Sequence, residues 1–274
     1  MDTKTTIEQE NEMLLRAQEE GRKRIGYEEE KPIKRVNIDA AMEELDKTGS
    51  FATFLRYPER GYDMNNALEL VTRIGKKRSP RFVIDDDNRL AYENFIKWLH
   101  CDESMVSIDP ITNKLVKGNL KSGIYIGGGT GAGKSWCLEI MLSYARIWNF
   151  QIQFPLDANP RPLQWEIHRA DDIAIQFARV GEVMRFRGLE TLGIQDLGQE
   201  PKEAMYMGNR LNVLQQVLEC RGDNKSLVTL ITSNYAMGGK ALQEAYGDRV
   251  QSRLFESCNY FVIKGKDRRA NLGK

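Results

Sequence analysis

Cysteine is sparse and scattered in this chain. Cys101, Cys137, Cys220 and Cys258 stand far apart, with no Cys-x-x-Cys spacing. That argues against a zinc site and a disulfide framework and fits a reducing compartment. Net charge is almost absent too: 40 Lys and Arg against 39 Asp and Glu leave +1. There is no global electrostatic pull toward nucleic acid, so any such binding has to come from local patches. No apolar run approaches the roughly 20 residues that span a bilayer. The N-terminal MDTKTTIEQENEM lacks the basic start and apolar core of a secretory signal, and no helix-turn-helix or zinc-finger pattern appears. These absences leave 274 residues, 41% of them hydrophobic and 29% charged. The expectation is a soluble, cytoplasmic protein of one or two domains with no membrane partner.

Residues 1–36 are dense in charge and poor in large apolar side chains, and read as a solvated, partly disordered arm. From Ile38 the pattern tightens. IDAAMEELDKTG and MNNALELVTRIG each carry apolar residues at helical spacing and end in glycine, at Gly49 and Gly75. They predict a small helical, partner-binding region over 37–80. GKKRSPRF then reads as a linker, because Pro80 disfavours helix at Ser79. From 81 to 274 the rhythm alternates. DDDNRLAYENFIKWLHCD predicts a helix; SGIYIG, LQWEIHRA, ETLGIQD, SLVTLITSN and FVIKGK predict strands. WCLEIMLSYARIW, DDIAIQFARVGEVMRF and AMYMGNRLNVLQQVLECR predict the helices between them. Such alternation implies an α/β fold whose parallel sheet is covered on both faces.

Between the first of these strands and its helix lies Gly128-Gly129-Thr130-Gly131-Ala132-Gly133-Lys134-Ser135, which fits GxxxxGK[ST] in the required strand–loop–helix context. Glycines let backbone N–H groups converge on phosphates without Cβ clashes. The helix that opens with Trp136 just beyond adds its positive end. Lys134 supplies a mobile charge to the β- and γ-phosphates, and the Ser135 hydroxyl can ligate Mg²⁺. ATP and Mg²⁺ are the expected cofactors. Downstream, SLVTLITSN ends in Asn234, placed to orient a water or sense the γ-phosphate, and YGDRVQSRLFE sets Arg249 and Arg253 four apart on one helical face.

The order GGTGAGKS, I-x-D-L-G, TLITSN, DRVQSRL and a short tail GKDRR resembles the DnaC-type AAA+ proteins, a group that includes helicase loaders and IstB-type transposition helpers. The resemblance covers about residues 85–274. It implies a P-loop AAA+ three-layer αβα core without a C-terminal lid. It also implies self-association into a ring or filament, with a replicative helicase or a transposase as partner and single-stranded or duplex DNA as the substrate surface. By this resemblance Asn234 is the sensor, Arg253 the arginine finger lent to a neighbouring subunit, and Arg249 a second interface arginine. Residues 1–80 resemble neither family. Basic residues in GKKRSPRF, in FARVGEVMRFRG (Arg179, Arg185, Arg187) and in the tail are the candidate DNA contacts, while Phe177, Phe186 and Trp165 read as core.

One segment departs from the family. Where it carries two acids, for the metal and for polarising water, this chain reads Ile194-Gln195-Asp196-Leu197-Gly198. In one frame Gln195 stands at the metal acid's place and Asp196 polarises water. In the other, Asp196 is the metal acid and Leu197 a lost catalytic residue. The first is preferred because it keeps the D-L-G-x-E ending, and it has Mg²⁺ held by Ser135, phosphates and waters with Asp196 compensating. Nucleotide binding is then expected with slow hydrolysis; the alternative is a nucleotide-gated adaptor without significant hydrolysis. Gln195→Asp should tighten the Mg²⁺ dependence or speed turnover in a phosphate-release assay; a variant equal to the parent in both would refute that frame.

Overall fold

The computed structural model describes residues 3–24, 35–48, 53–58, 61–265, 267 and 268. It divides into two units, Met1–Thr48 and Gly49–Lys274. In the first, α1 (Thr3–Arg24) and α2 (Ile38–Thr48) are helices. Much of the arm read as partly disordered is thus helical. Its Glu, Gln, Leu, Lys and Arg are good helix formers, and Arg22, Lys23 and Arg24 sit in the last turn, where the dipole favours cations. The stretch 25–34 lies outside the described residues. Leu14, Leu15, Ile38 and Met42 are exposed.

The second unit opens with β1 (Leu55–Arg56), α3 (Met64–Arg78) and α4 (Arg89–Leu99). The antiparallel pair β2 (Val106–Ile108) and β3 (Leu115–Lys117) leads into β4 (Gly123–Gly128) and α5 (Lys134–Trp148). Then come β5 (Gln151–Gln153), β6 (Arg161–Pro162), β7 (Glu166–Arg169), α6 (Ala170–Val180), α7 (Met184–Gly188) and β8 (Thr191–Leu197). The chain finishes with β9 (Ala204–Tyr206), β10 (Asn209–Leu211), α8 (Val213–Asp223), β11 (Val228–Ser233), α9 (Lys240–Ser257) and β12 (Cys258–Ile263).

Five strands form the main sheet in the order β12-β4-β11-β8-β7, every pair parallel. Alternate residues of the strands feed two cores. Ile124, Ile126, Leu230 and Phe261 pack with α3, α4 and α5 on one face, while Tyr125, Ile231, Ile194 and Tyr260 pack with α6, α8 and α9 on the other. A parallel sheet covered on both faces is the expected α/β architecture, here as three αβα layers. Phe177, Phe186 and Trp165 are buried in it, as read.

Four local expectations give way to tertiary structure. The linker and the boundary near residue 80 do not appear: α3 runs through Gly75 to Arg78, and its buried Ala67, Leu68 and Val71 belong to the same core as α5. Its last turn closes by the Ser79 amide donating to the Gly75 carbonyl at 2.8 Å. Gly75 is therefore a packing glycine against Phe82 and not a stop. The helix expected over 171–186 breaks at Gly181, which holds φ 70 as the C-cap of α6. AMYMGNRL is not helical: Ala204–Tyr206 pairs antiparallel with Asn209–Leu211 around Met207-Gly208, both at positive φ. Such a two-residue turn outweighs the helical spacing of the apolar residues. The helix starts only at Val213, where the Asn212 side chain accepts from the Gln215 amide.

Arg221, buried on α8, ties the base of the sheet together. It donates to the carbonyls of Phe186, Leu189 and Val228 and to the Thr229 hydroxyl. Burial pulls its pKa down to about 10. Four acceptors offset that desolvation and anchor the starts of β8 and β11, the two strands that carry Asp196 and Thr232-Ser233 at their far ends.

A Cβ on Gly75 would lie 2.1 Å from the Phe82 ring. Gly75→Ala gains about 1 kcal/mol of helix propensity and costs about 1–3 kcal/mol of overpacking. The expected outcome is a net loss, measured as a lower midpoint in urea; a higher midpoint would show that Phe82 moves aside freely.

Candidate functional site

The loop from Gly128 to Ser135 joins the carboxyl end of β4 to α5, at the sheet edge where ligands bind in open α/β folds. Gly128 leaves the strand so close to β12 that a Cβ would meet the Ile263 carbonyl oxygen at 2.1 Å. Gly133, the N-cap of α5, holds φ 101, a conformation L side chains rarely adopt. The N-cap Gly133 supplies no side-chain cap to the first-turn amides of α5. Gly129, Thr130, Gly131 and Ala132 complete the loop.

A cavity of about 570 Å³ opens over this loop, lined by Thr130, Gly131, Gly133, Lys134, Ser135, Trp136, Gln195, Asp196 and Asn234 among others. The buried Lys134 ammonium donates to the Gly129 carbonyl at 2.8 Å and to Asn234 Oδ1 at 2.7 Å. Ser135 Oγ donates to Asp196 Oδ1 at 3.2 Å. The residues read from the loop, from IQDLG and from TLITSN are thus brought together.

Gln195 and Asp196 both line the cavity, although neighbours on a regular strand point to opposite faces. A β-bulge explains it. Ile194 pairs with Ile231 and Leu197 with Ser233, so two residues of β8 stand opposite Thr232 alone. Asp196 adopts φ 58, a left-handed conformation that aspartate tolerates, and its amide donates to Thr232 Oγ1 at 3.1 Å instead of to a ladder carbonyl. Gln195 Nε2 donates to the Ser135 carbonyl at 3.4 Å and to Glu139 Oε1 at 3.2 Å. The two readings of IQDLG therefore compete less than the sequence implies, since the bulge sets both side chains beside Ser135.

Several cavity residues carry no motif. Arg169, at the end of β7 and paired in register with Gln195, donates to Asp196 Oδ2 at 3.2 Å and to Asp171 at 3.0 Å. Glu139 and Arg78 enter from α5 and α3 and bond each other at 2.6 Å. A smaller pocket of about 190 Å³ adjoins the loop, lined by Phe82, Val83, Tyr92, Ala132, Trp136 and Ile263. Buried Asn88 shapes its wall by accepting from the Asp85 amide and donating to the Val83 carbonyl.

The segment after β12 straps the loop. The Arg268 amide donates to the Gly131 carbonyl at 3.0 Å, Arg268 Nε to the Ala132 carbonyl at 3.1 Å, and its guanidinium grips both oxygens of Asp85 at 2.8 and 2.9 Å. Arg268 lines both pockets. Its hydrogen bonds hold the Asp85 carboxyl below the usual carboxylate range.

Arg249 and Arg253, the two arginines read as interface residues, do not line these pockets. Arg253 Nε donates to Asp223 at 2.6 Å and is packed against Gly222, whereas Arg249 is exposed. Of the basic residues read as DNA contacts, Arg185 pairs with Glu166 at 2.7 Å and Arg78 with Glu139, while Arg179 is exposed. Among the described residues no helix is long and apolar enough to cross a membrane.

No protein-family model matches the chain, and no curated protein matches it. Among solved structures, it is similar to a candidate primosome component from Streptococcus pyogenes serotype M3, with 18% identity over 69% of this chain and 85% of that one and a TM-score of 0.47. It is also similar to the DnaC helicase loader, with 16% identity over 68% and 95% of the two chains and a TM-score of 0.45. A third likeness is to AMPPCP-bound DnaA from Aquifex aeolicus, with 18% identity over 66% of this chain and 48% of that one and a TM-score of 0.40. None of the three is near enough to transfer a residue's role.

Because the Asp85 carboxyl is depressed in the folded chain, the strap's contribution is complete above the usual carboxylate pKa of about 4 and is lost as pH falls through the depressed value. Hydrogen-exchange protection of the Arg268 amide should hold at pH 5–7 and fall only under stronger acid. In Asp85→Asn it should be weak throughout; equal protection in that variant would show that the ion pair does not hold the strap.

Proposed function

We propose that the chain is a nucleotide-controlled AAA+ protein of the helicase-loader type, which binds ATP with Mg²⁺ and hydrolyses it slowly. One observation carries the nucleotide part of this reading: a glycine loop at a strand's carboxyl end places Lys134, Ser135, Asp196 and Asn234 in one cavity. The adjoining pocket with Phe82, Tyr92 and Trp136 offers apolar and aromatic walls to a base.

The oxygen donors of Ser135 and Asp196 suit a hard cation such as Mg²⁺, which when bound neutralises charge on the phosphate oxygens. The chain's own residues do the rest. The Lys134 ammonium rests on Asn234, and a phosphate would draw it away by a stronger, charge-assisted contact. Asn234, relieved of that bond, can then orient a water for in-line attack. Asp196 accepts from that water once Arg169 gives up its second oxygen. With Gln195 neutral at the strand position where the resembling family carries an acid, one carboxylate on β8 performs work shared elsewhere by two, and turnover is slow.

The loader assignment rests on the motif order over residues 85–274, with the exposed apolar residues of α1 and α2 as the surface offered to a protein partner. A hexameric replicative helicase should co-purify with the full chain. Stimulation of a transposase without helicase capture would turn the reading to the transposition helper.

For the nucleotide part, a fluorescent ATP analogue should bind the parent, and Lys134→Ala should weaken it by about 2 kcal/mol, within the range of about 1.5–3 kcal/mol for a hydrogen bond to a charged group. Asn234→Ala should lower turnover with little change in binding. Undiminished binding by Lys134→Ala would overturn the assignment of the cavity to phosphates.

A further inference from the structure

Glu139 lies one helical turn beyond Ser135 on α5, so the two side chains leave the same face of the helix. Among the described residues, its carboxylate and that of Asp196 line the cavity, against the cations Lys134, Arg78, Arg169 and Arg268. Gln195 links Glu139 to Ser135. Its amide nitrogen is shared between the Ser135 carbonyl at 3.4 Å and Glu139 Oε1 at 3.2 Å. The other oxygen, Oε2, takes the Arg78 bond at 2.6 Å.

A simple surface ion pair accounts poorly for this arrangement. Arg78 is 47% and Glu139 33% exposed, so the pair stabilises by about 1 kcal/mol at most. Gln195, by contrast, is 7% exposed and turns its amide onto Glu139 from a strand position inside the cavity. A side-chain amide donating to a carboxylate fixes that carboxylate's orientation, as the outer partners of metal sites do. Mg²⁺ is ordinarily held by one or two carboxylates together with substrate phosphates and retained waters. Asp196 is one; the strand offers no second.

Building on the ATP–Mg²⁺ reading, we propose that Glu139 is the second acid of the cation site: it supplies from the phosphate-loop helix, through metal-bound water, the negative charge that Gln195 does not supply from the strand. Arg78 is then the counter-ion that holds Glu139 in place while the cation is away. Gln195 and Glu139 form an exchanged pair, with amide on the strand and acid on the helix. Their combined charge equals that of an acid on the strand and a neutral residue on the helix.

The test uses the full chain and a fluorescent ATP analogue, titrated with Mg²⁺ and, in parallel, read in excess EDTA. Glu139→Gln should raise the Mg²⁺ midpoint by about tenfold or more, the loss that removal of an outer-shell partner brings, while metal-free binding, relieved of one negative charge beside the phosphates, should not weaken. Adding Gln195→Asp to Glu139→Gln should bring the midpoint back to within about threefold of the parent, a gap of about 0.65 kcal/mol. An unmoved midpoint in Glu139→Gln, or an equal loss with and without Mg²⁺, overturns the proposal while the ATP reading stands. A double variant no better than Glu139→Gln overturns the exchange. A parent chain that binds no nucleotide overturns both readings, and Lys134→Ala marks that baseline.

Discussion

The parallel register of β4 with β11, and of β11 with β8, is the constraint on which the site depends. Ile126 lies opposite Thr232 and Gly127 opposite Ser233, so the phosphate loop and Asn234 leave the sheet at the same level. β11 then sets β8, whose bulge lands Asp196 beside Thr232. Parallel pairing has to be covered on both faces, and the two cores of buried aliphatic and aromatic residues do that. Arg221 fixes the opposite ends of β8 and β11 by its four bonds. A slip of one residue in either strand would turn the whole site to the other face.

Every charged group at the site already has a partner within the chain. Lys134 rests on Asn234, Asp196 on Ser135 and Arg169, Glu139 on Arg78 and Gln195, and Arg268 on Asp85. Low dielectric makes an unpaired buried charge costly, and these partners offset that cost within the chain itself. Binding is then an exchange of hydrogen bonds, and its net strength is the difference between new and surrendered contacts. Asp196 illustrates the consequence: Arg169 must yield before the carboxylate can serve a cation or a water. On the proposed reading, that exchange acts in the same direction as the neutral Gln195, toward slow turnover.

Much of this was legible in the sequence where the information is local. GGTGAGKS fixes a loop between strand and helix because its glycines permit the turn and its lysine follows at a set distance. SLVTLITSN reads as a strand because its β-branched residues suit a buried sheet. The bulge at Gln195-Asp196 was not legible, since it exists only relative to Thr232 on another strand, and alternation along β8 alone predicts opposite faces. Glu139, Arg169 and Arg268 belong to the site by tertiary contact and carry no motif. The hairpin Ala204–Leu211 was misread for a related reason: its apolar residues fall at helical intervals, yet Met207-Gly208 takes up the positive φ of a tight turn. Gly75 was read as an end because glycine often ends helices, whereas here it makes room for Phe82.

Interface chemistry turns on the same balance of held and free charge. An arginine lent to a neighbouring subunit has to present its guanidinium outward. Arg253 is only 14% exposed at its side chain, is held by Asp223 and lies over Gly222, where a Cβ would meet its own at 2.6 Å. One of its nitrogens, Nη1, is buried without a partner. Arg249, one turn earlier on α9, is exposed. Reaching a neighbour's phosphate costs Arg253 an ion pair and its packing on α8, whereas Arg249 gives up solvent alone. The unpartnered Nη1 lowers that cost for Arg253, because a phosphate oxygen would satisfy a donor that folding leaves unsatisfied. On the proposed self-association, Arg249 would make first contact at no structural cost, and Arg253 would gain a partner for Nη1 once a phosphate arrives.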